Sequence, residues 1–237
     1  MKTIKYTADS RGYANHGWLK SYHSFSFANY HNPERMNFGA LRVFNDDLVQ
    51  PKMGFGTHPH QNMEIISIPL KGALSHKDNM NNKRSIEVGE VQVMSAGTGL
   101  THSEFNDHKT EEVNFFQLWI VPEKQNVTPN YEQKLFDVED RKNNFQTVVS
   151  PQDKLVKGSL GIHQQASIHI GNFDEGKSFT HQIESGKGVY VFVIDGKIDV
   201  HGEQLNKRDA LGIWDSGSIK IEATTNSEIL LIDVPMI

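Results

Sequence analysis

The stretch Gly54-Phe55-Gly56-Thr57-His58-Pro59-His60-Gln61-Asn62-Met63-Glu64 sets two histidines two positions apart around a proline. In an extended strand residues i and i+2 face the same side, so both imidazoles reach one point without distorting the backbone. Pro59 holds φ near the extended region and has no N–H for a ladder bond, which suits a strand at a rim or edge. Glu64 has the same parity if the strand runs on unbroken, and would then approach the same point. A second stretch opens at Gly89 and runs through Ser95-Ala96-Gly97-Thr98-Gly99-Leu100-Thr101-His102-Ser103-Glu104. Gly97 and Gly99 mark a tight turn, and His102 and Glu104 again share one face of the strand that follows. A single H-x-H or H-x-E is commonplace on a surface. Two such strands facing each other inside a small barrel gather three imidazoles and a carboxylate around one point. That donor set, with positions left open, suits a first-row divalent metal used for chemistry.

Outward from these motifs the chain reads as strands. No long window has apolar residues at helical spacing with proper caps. Short β-rich runs lie instead between Gly, Asn, Asp and Pro: residues 24–28, 40–44, 64–70, 91–94 and 113–121, then 145–149, 167–170, 188–194, 210–214, 218–222 and 229–234. Strands this short and numerous predict an all-β sandwich or barrel fold. A faint repeat supports duplication. Leu70-Lys71-Gly72-Ala73 ahead of Gly89-Glu90-Val91 resembles Ile194-Asp195-Gly196-Lys197 ahead of Asp209-Ala210-Leu211. The chain is therefore expected to divide into residues 1–137 and 138–237, with a helical turn in the polar link at 137–144.

Composition narrows the chemistry. The 237 residues hold no Cys and twelve His, and the net charge is −5. Thiolate zinc sites, iron–sulfur clusters, disulfides and cysteine nucleophiles are excluded. No run of Lys or Arg offers a phosphate-neutralising surface, so direct nucleic-acid binding is not expected. The longest apolar run, 189–194, is too short to cross a bilayer, and residues 1–17 contain no apolar signal segment. A cytoplasmic protein without membrane contact is expected. His16, His23 and His31 read as surface or hydrogen-bonded packing groups. His76, His108, His163, His169, His181 and His201 have no partner at ligand spacing.

The chain resembles the pirins, a branch of the cupin superfamily, and in particular bacterial pirin-like proteins described as quercetin 2,3-dioxygenases. The resemblance rests on the two histidine stretches, on Ser24-Phe25-Ser26-Phe27-Ala28-Asn29-Tyr30, on Gln117-Leu118-Trp119-Ile120 and on Tyr131-Glu132-Gln133. It implies a bicupin, two antiparallel jelly-roll-like β-barrels in one chain, the first holding the metal. The implied ligands are His58, His60, His102 and Glu104. Glu64 is then a carboxylate behind the ligands or in the pocket, or a ligand when substrate rearranges the site. The second half has no H-x-H or H-x-E, so it is expected to be metal-free and to serve in packing, pocket closure or partner contact.

The implied reaction is cleavage of a flavonol heterocycle by O2 with release of carbon monoxide, Glu104 (or Glu64) acting as base. Fe(II) is the expected ion, and the set also suits Mn, Co, Ni, Cu or Zn. Phe44, Phe55, Phe115 and Trp119 are the aromatic residues considered for the pocket wall, with plain barrel core the commoner role for such residues. Two other functions remain open: oxygenation of another enolisable metabolite, and a redox-sensing iron protein that docks a regulatory partner, as described for some pirins.

Overall fold

The computed structural model describes residues 1–236. The first half carries β1 (Lys2–Tyr6), β2 (Gly12–Asn15), β3 (Leu19–His23), β4 (Leu41–Val49), β5 (Gly54–His60) and β6 (Glu64–Lys71). It continues with β7 (Ala73–Asp78), β8 (Lys83–Glu87), β9 (Glu90–Ser95), β10 (Leu100–Phe105), β11 (Val113–Ile120) and β12 (Asn130–Leu135). The second half holds β13 (Phe145–Pro151), β14 (Leu160–Ile162), β15 (Ser167–Phe173), β16 (Ser178–Gln182) and β17 (Lys187–Asp195). After these come β18 (Lys197–Val200), β19 (Glu203–Asn206), β20 (Ala210–Trp214), β21 (Ser218–Ala223) and β22 (Ser227–Pro235). Three short 3₁₀ turns complete the secondary structure, one of them at Val138–Arg141, where Asp137 caps the Glu139 N–H at 3.0 Å.

Each barrel is a seven-stranded sheet facing a four-stranded one. The first pair has orders β12-β9-β6-β11-β4-β3-β2 and β5-β10-β7-β8, and the second β1-β20-β17-β22-β15-β13-β14 and β16-β21-β18-β19. Pairing is antiparallel save for β13 against β14. The bicupin architecture expected from the resemblance is present. The turns β6–β7 and β17–β18 occupy matching places, and Gly72 and Gly196 take φ of +74° and +85° there, values that favour glycine. The repeat visible in the sequence is thus a repeat of turns. One strand breaks the simple division: β1, from the start of the chain, pairs with β20 and closes the edge of the second large sheet.

The two large sheets pack back to back. Strand β17 shows why its sequence, Gly188-Val-Tyr-Val-Phe-Val-Ile194, is apolar throughout. Tyr190, Phe192 and Ile194 join the seam between barrels, while Val189, Val191 and Val193 fill the interior of the second barrel. A strand buried on both faces has no polar side to display. On the seam Phe44 meets Phe192 at 4.5 Å between ring centroids and Phe116 at 5.1 Å. A buried ion cluster sits beside it. Asp46 accepts from Arg11 Nη1 at 3.2 Å and lies 3.4 Å from Arg208 Nε, which belongs to the other half.

The strand expected at 24–28 is a loop. Ser26 Oγ both accepts from the Asn32 N–H at 2.8 Å and donates to the Asn32 carbonyl at 2.9 Å. That local bonding competes with a ladder. Ala28, at φ +49°, turns the chain back so that Phe27 bridges Tyr30. Among the described residues no helix is long and apolar enough to cross a membrane.

Candidate metal centre

Strand β5 lies along β10 with His58 opposite His102 and His60 opposite Leu100. The register slips beyond His102, where Gly56 and Thr57 together oppose Ser103. This β-bulge changes the parity of everything before it. Phe55, out of phase with His58 by counting, comes to lie opposite Glu104 and faces the interior. The bulge also places the Gly56 carbonyl 2.8 Å from His58 Nδ1. That carbonyl takes the Nδ1 proton and leaves Nε2 as the free lone pair.

The rings of His58, His60 and His102 stand 4.4–4.9 Å apart between centroids. One nitrogen of each lies within 4.8 Å of the other two. His60 Nε2 and both ring nitrogens of His102 are buried without a hydrogen-bond partner. An unpaired buried polar atom costs roughly 1–3 kcal/mol, so His60 Nε2 and one nitrogen of His102, left unpaired within reach of one point, indicate a site built for a ligand. Burial, reinforced by the neighbouring imidazole of His58, lowers His60 to about 4. Burial pushes His102 well below the ordinary histidine value, with His58, His60 and His76 adding to the effect. Both rings are neutral at pH 7 and can donate lone pairs.

Glu104 is fully buried. Ser67 Oγ donates to its Oε1 at 3.3 Å and Gln117 Nε2 to its Oε2 at 2.8 Å. Burial raises it to about 7 against these hydrogen bonds. The Gln117 amide is itself oriented, because its Oε1 accepts from Trp119 Nε1 at 3.1 Å. Trp119 also sets its ring edge-on to His60 at 4.9 Å. One indole therefore braces an imidazole directly and the carboxylate through an amide.

Glu64 is elsewhere. Strand β5 ends at His60, and Asn62, at φ +49°, turns the chain before β6 begins. The parity argument fails at that turn. Glu64 shares the face of β6 that carries Ile66 and Ile68 into the seam, and its Oε2 accepts from Ser95 Oγ at 2.7 Å. It is neither in the pocket nor in the histidine cluster. His76, which shows no partner in the sequence, lies inside the barrel. It faces Glu104 across the β7–β10 ladder, 5.4 Å from the His102 ring, and its Nε2 bonds Asp78 at 3.1 Å. Its signal was the buried alternation Leu74, His76, Asp78 along β7. In the second barrel His169 and His181 meet through Asp233.

The cluster forms the floor of a cavity of about 640 Å³. Trp18, Phe27, Tyr30, Phe55 and Trp119 make its walls, and His58, His60, Glu104 and Gln117 its floor. Of the four aromatic residues considered, Phe55 and Trp119 reach the cavity, Phe44 belongs to the seam and Phe115 to the barrel core. A polar side is set by His23, whose Nδ1 lies 2.8 Å from Asn45 Oδ1, and by Asp47, which accepts from Ser21. His16 lines the mouth as well.

Two back-to-back barrels, with imidazoles and a carboxylate gathered inside the first, define a bicupin with a cupin-type polar centre. Residues 6–120 match the family described as pirin, and residues 147–234 match the quercetinase C-terminal cupin domain. The chain belongs to the pirin family. It is 45% identical to the quercetin 2,3-dioxygenase of Escherichia coli (strain K12), over 96% of each chain. A pirin-like protein of Caulobacter vibrioides is 40% identical over 95% of this chain and 96% of its own. The crystal structure of the bacterial pirin YhhW from Escherichia coli in complex with nickel(II) superposes with a TM-score of 0.94 at 42% identity, covering all of both chains.

Proposed function

We propose that this chain is a metal-dependent dioxygenase that cleaves the heterocycle of quercetin or a close flavonol with O2, releasing carbon monoxide. The observation that carries this reading is the set of partnerless buried imidazole nitrogens beneath an aromatic-walled cavity. The names of the relatives and the nickel(II) complex of YhhW support it. His58, His60, His102 and Glu104 would hold the ion, and their N and O donors fit a first-row divalent metal. We assign Fe(II) as the native ion. When bound, the ion supplies Lewis acidity toward the flavonol 3-hydroxyl and a meeting point for O2.

The chain's own residues do the rest. The cavity lies within the size range of small-molecule sites, and its walls sandwich a planar ring system. His23, Asn45 and Asp47, which line the same cavity, would offer hydrogen bonds to ring hydroxyls. Glu104, the carboxylate at the cavity floor, takes the 3-hydroxyl proton. Ser67 and Gln117 each donate to one of its oxygens and fix the carboxylate at the cavity floor. Glu64 has no part in this chemistry.

Elemental analysis combined with oxygen uptake on quercetin tests the assignment. His58→Ala is expected to lose the metal of the first barrel together with oxygen uptake, and undiminished turnover in that variant would overturn the reading. Glu104→Gln is expected to stay folded with turnover reduced by 100-fold or so, whereas unchanged turnover would remove Glu104 as the base.

A further inference from the structure

The interior of the second barrel is packed with aliphatic side chains and with Phe173, and a polar cluster stands at one place in its wall. Ile219 and Ile221 of β21 are buried in it, in the strand position that β10 fills in the first barrel. His181 lies on β16, which occupies the edge of the second small sheet as β5 does in the first. His169 lies on β15 and Asp233 on β22, the counterparts of the strands that carry Asn45 and Gln117 to the first cavity. Three strands thus aim polar side chains at one point. His181 Nε2 is 2.9 Å from both Asp233 oxygens, and His169 Nε2 is 3.0 Å from Oδ2. One donor atom from each residue lies within 4.8 Å of the other two.

We propose that His169, His181 and Asp233 form a second divalent-cation site, separate from the first. Two imidazoles and one carboxylate supply three donors and leave positions for water. Thr147 Oγ1 lies 2.9 Å from His169 Nδ1. Without a cation the Nε2 atoms face Asp233 as N–H donors. A cation would displace those protons, and Thr147, by accepting from Nδ1 of His169, would leave its Nε2 lone pair for the metal, the kind of outer hydrogen bond that orients a ligating histidine. The Asp233 carboxyl is held below the ordinary range by the two imidazoles, against its burial, and is ionised at neutral pH. The three side chains are 10–15% exposed, so the site is enclosed yet reachable. No H-x-H or H-x-E marks this site, because its members stand 12, 52 and 64 positions apart. The cation would tie β15, β16 and β22 together at one point of the barrel wall.

Zinc(II) is the probe. The full chain is dialysed to equilibrium with it and the bound metal counted by elemental analysis. Wild type is expected to hold two equivalents, and Asp233→Asn and His181→Ala one each. His58→Ala is expected to keep one, and His58→Ala with Asp233→Asn none. His181→Ala should leave oxygen uptake on quercetin unchanged. Asp233→Asn nearly preserves shape, which separates lost ligation from lost folding, and circular dichroism checks the latter. Equal zinc content in wild type and folded Asp233→Asn overturns the proposal, as does a folded His58→Ala variant that binds none. If the first barrel held no metal, the totals would fall from two and one to one and none, and the difference made by Asp233→Asn would remain.

Discussion

A carboxyl group sealed behind β6 gives the protein a pH dependence unconnected with its cavity. Glu64 has one oxygen held by Ser95, and the backbone of His163 also lies within reach of its carboxyl. Burial lifts its pKa from 4.5 to about 7, against the Ser95 hydrogen bond. The unfolded chain ionises this group first as pH rises, while the native state keeps the proton. Its contribution to stability is complete below pH 4.5 and is lost as pH approaches 7. The loss amounts to about 3 kcal/mol on the usual conversion. Glu64→Gln is therefore expected to unfold in urea with less change between pH 5 and pH 8, and to be the more stable protein at pH 8. Parallel pH profiles for the two proteins would refute this. The same residue marks the limit of parity counting. The pairs His58/His60 and His102/Glu104 were legible because each lies within one unbroken strand. Glu64 lies beyond a turn, Phe55 beyond a bulge, and His76 on a strand whose neighbours only the ladder reveals.

Between elements, the ion cluster around Asp46 couples segments remote in sequence. Arg11 comes from the start of the chain, Asp46 from β4 and Arg208 from the turn before β20. Asn114 Nδ2 of β11 also donates to Asp46, at 2.8 Å. Removing one member of a buried charge cluster strands the others. Asp46→Ala is expected to cost about 3–5 kcal/mol in denaturant unfolding, and a loss below 1 kcal/mol would show that water already screens the arginines. Strands such as β17 and β11 were readable from their apolar runs, as was the 3₁₀ turn near the link. The loop at 24–28 was not, because its aromatic residues have strand character and only the Ser26–Asn32 bonding decides against a ladder.

For the whole molecule, the seam is the dominant feature. Aromatic and aliphatic side chains of both halves form one buried cluster there. A chain ending at residue 137 would expose Phe44, Phe116, Ile66 and Ile68 and leave β1 without β20. It is expected to be insoluble or to associate, while the full chain unfolds in one transition; a monomeric, folded fragment in gel filtration and circular dichroism would contradict this. Duplication was visible in the sequence through matching glycine turns. The exchange of β1 was not, since five residues of mixed character name no partner.

That exchange bears on synthesis. During translation β1 emerges long before the strand it joins, which lies roughly 200 residues later. At ~5–20 residues per second the interval is roughly 10–40 s. Through it the nascent chain carries an unsatisfied strand, and the first barrel's seam face, Phe44 and Phe116 included, waits for its cover. A chain cut short before β20 would therefore leave β1 unpaired and the seam uncovered.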